Sequence, residues 1–311
     1  MANIPSEIVK VARPVHWIKN LALFAALIFS GNLLSKISFL EVVLAFVSFS
    51  LATSAAYIFN DILDARVDRL HPLKRHRPIA SKRLPVSTAS FAMVVFALSS
   101  LYLATGLNTL FLLMIIGYLI LQATYSLGLK NIAIVDIMII ATGFIIRVYA
   151  GAFAINAHLS VWFLLSVISV ALFLASGKRR AELGVITHAP GATRKSLTRY
   201  SKTLLDSYVT MFGNAAWMSW ALFTFFESPS ASRPTWLFLA ELSRTTTINK
   251  LLMITIPIVI FGIMRYESLI FQNRSESPEK LLLTDKALIA SVVLWTALVV
   301  LILYGGITIV S

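Results

Sequence analysis

Apolar residues fill this chain in long blocks rather than in short alternating runs. Nine such blocks, at 17–34, 39–59, 87–105, 109–127, 132–155, 159–175, 205–226, 248–264 and 287–310, carry few charges. A hydrocarbon core of ~30 Å needs about 20 apolar residues in helical form, and the blocks meet or approach that length. They predict an all-α, polytopic membrane protein of about nine transmembrane helices, folded as a single domain over 1–311. A soluble bundle accommodates so many long apolar runs poorly.

The polar connections between blocks differ in sign. The N-terminus, 60–85, the turn at Lys130, 176–202 and 265–286 hold most of the Lys and Arg. The alternate connections, at Lys36, His158 and 227–250, are nearly balanced. The positive-inside rule therefore predicts a cytoplasmic N-terminus and a C-terminus outside. Segments 60–85, 176–204 and 265–286 are long enough to cap the cytoplasmic face, and Arg265-Tyr266 could close it. The first twenty residues do not read as a signal peptide, because Lys10, Arg13 and Lys19 interrupt them.

Composition agrees with the pattern. Of 311 residues, 58% are hydrophobic and 13% charged, against roughly 25% charged in a soluble domain. The 27 Lys and Arg outnumber the 14 Asp and Glu, for a formal charge of +13. Such an excess suits nucleic acid, anionic lipid or phosphate-rich substrates. Its position between membrane spans argues against nucleic acid. The chain has no cysteine, which excludes disulfides, thiolate metal sites and cysteine nucleophiles.

The chemistry concentrates in one string, Asn60-Asp61-Ile62-Leu63-Asp64-Ala65-Arg66-Val67-Asp68. Spacings of three and four place Asp61, Asp64 and Asp68 on one helix face. Stacked carboxylates repel unless a cation lies among them. A cluster of oxygens without His or Cys suits a hard cation, Mg²⁺ above all. A plainer reading is a solvated helix end whose acids pair with Arg66 and Arg69. Charge at the end of a membrane helix favours function, and His71-Pro72-Leu73-Lys74-Arg75-His76-Arg77-Pro78-Ile79-Ala80 follows at once. Acid and then base is what a metal–pyrophosphate complex requires: carboxylates for the metal, Lys and Arg for the remaining phosphate charge. His71 and His76 lack the partners of a metal site.

This string resembles the UbiA superfamily of intramembrane transferases, whose N-D-x-x-D-x-x-x-D motif follows the second helix and leads to a basic stretch ending in R-P-I/L. Here Asn60, Asp61, Asp64 and Asp68 match, as do Arg77-Pro78-Ile79. The second acidic motif usual in the aromatic prenyltransferases of the superfamily is replaced by Ser176-Gly177-Lys178-Arg179-Arg180-Ala181-Glu182-Leu183. With that exchange, and with Arg13 to Asn20, Tyr125 to Lys130, and Asp136 through Arg147 to Gly151, the chain looks most like a phosphoribosyl-transferring branch.

The resemblance implies Mg²⁺-dependent transfer of a 5-phosphoribosyl group from phosphoribosyl diphosphate to a polyprenyl phosphate of decaprenyl type, releasing pyrophosphate. The pathway implied is arabinose-donor synthesis for cell-wall precursors. It implies Asp61 and Asp64 as principal metal ligands with Asp68 as the third, Lys178 and Arg179 as catalytic cations, and Lys19, Asn60, Lys74, Arg77, Tyr125, Lys130 and Glu182 as substrate-binding groups. Three phosphate-bearing positions on donor and acceptor make basic residues at 178–180 a sensible exchange, although those bases also satisfy the positive-inside rule without any substrate. Glu182 could simply pair with Lys178 one turn away. Lys19 and Asn20 could reach phosphate, Asp136 could lie near the acidic cluster, and Arg147 reads as deep and structural. A polyprenyl tail needs a lateral opening between helices lined by Leu, Ile and Phe, and membrane lipid is a partner throughout. An oligomer is compatible with all of this. The alternatives are a prenyltransferase acting on an aromatic acceptor, and a lipid transporter without chemistry. The latter leaves three acids followed by a basic run unexplained.

Overall fold

The computed structural model describes residues 4–70, 74–186, 196–227, 248–272, 281 and 284–305. Helix is the regular structure of these residues. They form two compact units: Met1–Leu27, Ser35–Ala157 and Ile186–Tyr200 in one, Ile28–Leu34, His158–Val185 and Ser201–Ser311 in the other.

The first unit begins with α1 (Ile4–Ala12), a 3-10 segment (Pro14–Leu23) and the start of α2 (Phe24–Phe29). The first apolar block, expected as one helix over 17–34, is thus broken. Proline supplies no N–H and disfavours helix at the preceding residue. Arg13 accordingly turns left-handed, with φ 54°, and α1 stops before it. Then come α3 (Lys36–Asp68), α4 (Val86–Thr105), α5 (Thr109–Leu127) and α6 (Val135–Ala154). Ser35 caps α3 through the Ser38 amide and Asn108 caps α5 through the Phe111 amide. α3 and α4 cross at two small residues, where Ser48 Oγ donates to Ser100 O at 2.8 Å and Ser100 Oγ to Ser48 O at 2.7 Å. Small polar residues of this kind let membrane helices approach closely. α6 lies against the 3-10 segment at Gly151, where any Cβ would overlap the Leu23 carbonyl.

At 33 residues α3 is the longest helix. At 1.5 Å per residue it extends about 50 Å, well beyond a ~30 Å hydrocarbon core. The excess carries the acidic face past its apolar part. Val11, Ile58, Ala65, Ile79, Leu84 and Ala89 close into one core around this end, so α1 and the residues after Arg77 pack directly against it.

The second unit holds α7 (Val161–Ile186), α8 (Lys202–Phe226), a 3-10 segment (Ile248–Thr255), α9 (Ile256–Phe271) and α10 (Lys286–Tyr304). Phe29, Phe163, Trp220, Phe223 and Trp295 interlock edge-on and tilted, with ring centroids 4.7–6.4 Å apart. α7 meets α9 at Gly177, where a Cβ would lie 2.7 Å from Tyr266 Oη.

Seven described helical stretches are long and apolar enough to cross a membrane. α8 is of similar length yet not among them, since Asp206, Ser207, Thr210 and Asn214 make its first half polar.

Candidate active site

The acidic face survives as predicted, and its partners come from elsewhere in the chain. Asp61 is only 2% exposed. Arg13 Nη2 donates to both of its oxygens, at 2.6 and 2.8 Å. Arg77 Nη1 reaches Asp61 Oδ1 at 3.0 Å and Asp68 Oδ2 at 2.7 Å. Lys130 Nζ donates to Asp64 Oδ1 at 2.6 Å and to Asn60 Oδ1 at 3.2 Å. Three carboxylates thus meet three cations drawn from the Arg13-Pro14 break, the basic run after α3 and the turn after α5. Arg66 and Arg69, the local partners that the sequence offers, are exposed, and Arg69 Nε instead donates to Ala80 O at 3.1 Å. The helix period explains this: five residues carry Arg66 about 140° around the axis from Asp61.

Arg13 is the member of the cluster that the sequence motifs do not single out. Its signal was the Arg-Pro pair itself. A non-glycine residue at positive φ is strained, and such strain gathers at functional sites. Here the turn aims the guanidinium at Asp61 and lays it over Tyr57, 5.0 Å from the ring centroid.

The other expected residues of this unit divide. Lys19 is half-buried in the 3-10 segment, Lys74 is half-buried in a short 3-10 turn (Lys74–His76), and Tyr125 is half-buried in the last turn of α5. His76 is exposed and accepts from Arg75 Nε at 3.3 Å, while His71 lies outside the described residues. Asn20 does not extend toward a phosphate. It is fully buried, donating to Ser50 Oγ at 3.0 Å and accepting from Arg147 Nε at 2.7 Å. Arg147 also donates to Gly143 O and, at 3.0 Å, to Tyr118 Oη. Its place is structural: a cation spent on neutral acceptors and on the faces of Phe49, Tyr118 and Phe144. Asp136 accepts from Tyr200 Oη at 2.7 Å and from the Ile137 amide at 2.9 Å, which ties 196–200 to the start of α6.

In the second unit the basic trio lies in the last third of α7. Arg179 is fully buried and donates to Glu182 Oε2 at 2.5 Å. The acid expected opposite Lys178 therefore pairs with Arg179, three residues away, a spacing that helical neighbours share equally with four. Arg180, also buried, is paired with Asp206 on α8 and stands 5.7 Å from the Phe271 ring centroid. Lys178 is half-buried and makes no ion pair among the described residues.

Among the described residues no three His, Cys, Asp or Glu side chains converge as metal ligands. The donor chemistry of α3 nevertheless fits Mg²⁺. Asp61 and Asp64 offer hard oxygens one helical turn apart, and Mg²⁺ is commonly held by one or two carboxylates with phosphate oxygens and water completing the shell.

Known proteins are similar to this chain. Residues 21–181 match the model of the UbiA prenyltransferase family. The decaprenyl-phosphate phosphoribosyltransferase of Corynebacterium glutamicum is 33% identical over 309 residues, covering 97% of this chain and 88% of the relative. The enzyme so described in Mycobacterium tuberculosis is 38% identical over 228 residues, covering 72% and 76%. A UbiA homologue from Archaeoglobus fulgidus, solved with GPP and Mg²⁺, superposes with a TM-score of 0.67 at 16% identity, covering 94% of this chain and 96% of that one.

Proposed function

The chain belongs to the UbiA prenyltransferase family, as an integral membrane enzyme, and from that premise we propose that it transfers the 5-phosphoribosyl group of phosphoribosyl diphosphate to a polyprenyl phosphate. An acceptor phosphate oxygen bonds to the anomeric carbon as the bond from that carbon to the diphosphate oxygen breaks, and pyrophosphate leaves with the electron pair. Mg²⁺ bound at Asp61 and Asp64, with Asp68 third, would supply charge neutralisation at the leaving group. The acceptor is anionic near neutral pH, so no strong general base is required. Catalysis then rests on positioning and on electrostatic stabilisation of the departing diphosphate.

The observation that carries this reading is the ring of bases on the acidic face. Arg13, Arg77 and Lys130 already contact Asp61, Asp64 and Asp68 at 2.6–3.0 Å. Cations so placed can transfer a hydrogen bond to phosphate when the carboxylates engage a metal, and charge-assisted bonds of that kind are the strong ones. Lys178 supports the choice of substrate. Where the aromatic prenyltransferases have acids this chain has a lysine without an ion-pair partner among the described residues, which suits substrates carrying three phosphate-bearing positions. Lys19, Asn60, Lys74 and Tyr125 we assign to substrate contact, and Glu182 to holding Arg179. We place the N-terminus and the site on the cytoplasmic face, on the charge asymmetry of the connections, and the pathway in cell-wall precursor synthesis.

The reading is tested by pyrophosphate release. Purified protein in detergent should release pyrophosphate from phosphoribosyl diphosphate only when polyprenyl phosphate is added, and chelation by EDTA should stop it until Mg²⁺ is restored. Release that ignores the lipid acceptor or survives EDTA refutes it.

A further inference from the structure

Within the second unit α7, α8, α9 and α10 enclose a cavity of about 280 Å³, at the lower edge of the ~300–1,000 Å³ usual for ligand pockets. Phe173 and Tyr266 stand toward one end, Trp220 and Trp295 toward the other. Val170 and Val292 line it while remaining 40% and 48% exposed. Both lie in helices that are long and apolar enough to cross the membrane, so the space outside them is hydrocarbon. What enters there is a lipid chain.

The wall is almost wholly apolar, and its serine hydroxyls are engaged by carbonyls of their own helices. Ser166 Oγ donates to Trp162 O and Ser291 Oγ to Leu288 O. Trp220 Nε1 donates to Thr255 Oγ1 at 3.0 Å. Trp295 Nε1 is buried and has no acceptor among the described residues. An isoprenoid double bond offers that N–H a weak π acceptor, which a saturated acyl chain lacks. Charge enters at one end only. Tyr266 packs on Gly177, and the next residue of α7 is Lys178, whose ammonium makes no ion pair among the described residues. An apolar cavity continued by a cation on the same helix complements an amphiphile with an anionic head.

We propose that this cavity takes the isoprene units nearest the phosphate of the polyprenyl phosphate acceptor, with the phosphate toward Lys178. The assignment rests on the phosphoribosyl-transfer reading for the identity of the lipid. It makes the second unit the acceptor-recognising part of the enzyme.

A polyprenyl phosphate bearing a diazirine in its phosphate-proximal isoprene units tests this on the wild-type protein in nanodiscs. Label should map to α7, α8, α9 and α10, and excess unlabelled polyprenyl phosphate should displace it where excess phospholipid does not. Label elsewhere, or equal displacement by phospholipid, overturns the proposal. A second measurement uses Gly262, where an added Cβ would meet only Ser291 Oγ, at 3.5 Å, leaving room for a larger side chain. Gly262→Phe should lower kcat/KM for a ten-carbon and a long-tailed acceptor alike by at least about tenfold, as displacing apolar contacts of one isoprene unit implies, with KM for phosphoribosyl diphosphate unchanged. An unchanged kcat/KM for both acceptors overturns it. Wild-type protein that fails to use polyprenyl phosphate at all would refute the reaction instead, and the labelling pattern would still report on the cavity.

Discussion

Replacing Arg13 by glutamine removes a two-point contact from a carboxylate with almost no access to water. Breaking a fully buried ion pair by deleting one partner costs about 3–5 kcal/mol. Two features of this site reduce that figure. The Arg13 side chain is 21% exposed, so solvent screens part of the interaction. Arg77 also remains, 3.0 Å from the same oxygen. The loss should then approximate one charge-assisted interaction, about 1.5–3 kcal/mol. Relief of the left-handed strain does not offset it, because glutamine at 13 inherits the same backbone ahead of Pro14. Unfolding in mixed micelles, monitored for Arg13→Gln, Asp61→Asn and the double variant, isolates the pair: the coupling energy should exceed ~1 kcal/mol, against the ~0.5 kcal/mol of independent sites. Additive effects would show that the contact carries no energy, and the argument that bases and acids here form one electrostatic unit would fall with it.

Asp61→Asn and Asp64→Asn should each abolish turnover while the protein stays folded and membrane-inserted; near-wild-type activity at limiting Mg²⁺ would reject them as ligands. Lys178→Ala should raise KM for phosphate-bearing substrate roughly tenfold to a hundredfold with unchanged stability, whereas Arg179→Ala should also lower the unfolding midpoint, since it strips Glu182 of a fully buried partner. Asp285, the cap of α10, is held down to about 2 by the Arg265 guanidinium and by the Leu288 amide. Because its folded value lies below the ordinary 3.8, its stabilising contribution is complete above about pH 4 and fades as pH falls toward 2; acid unfolding of Asp285→Asn should lack that fade. Single cysteines at positions 70 and 190 should be labelled from the same, cytoplasmic side of intact cells, and labelling from opposite sides would reject the topology.

The parts of this molecule legible in its sequence are those governed by period and charge. Apolar blocks located the helices, and the three-four spacing of Asp61, Asp64 and Asp68 placed them on one face. Long-range pairing was not legible. The helix period that groups the three acids also turns Arg66 away from Asp61, but it names no partner in its place. That Arg13 and Lys130 reach the acids depends on how α1 and the turn after α5 pack on α3. Arg13-Pro14 did contain a breaking signal, just ahead of an apolar block that read as one helix. Asn20 and Arg147 were each sensible candidates taken alone. Their hydrogen bond to each other, 127 residues apart in the chain, turns both into framework. Glu182 shows the limit of local rules, since spacings of three and four are both neighbours and only packing chose Arg179 over Lys178.

On the proposed function a phosphoribosyl group, and not a prenyl group, crosses this site. Purified protein with Mg²⁺ should be offered radiolabelled phosphoribosyl diphosphate with a polyprenyl phosphate and, separately, radiolabelled polyprenyl diphosphate with an aromatic acid, and the distribution of label between lipid and water measured. Label from phosphoribosyl diphosphate should enter the lipid phase, and no prenylated aromatic product should form. Prenyl transfer to the aromatic acid, with phosphoribosyl diphosphate left intact, would contradict the proposed function and reduce Lys178 to a signal of topology.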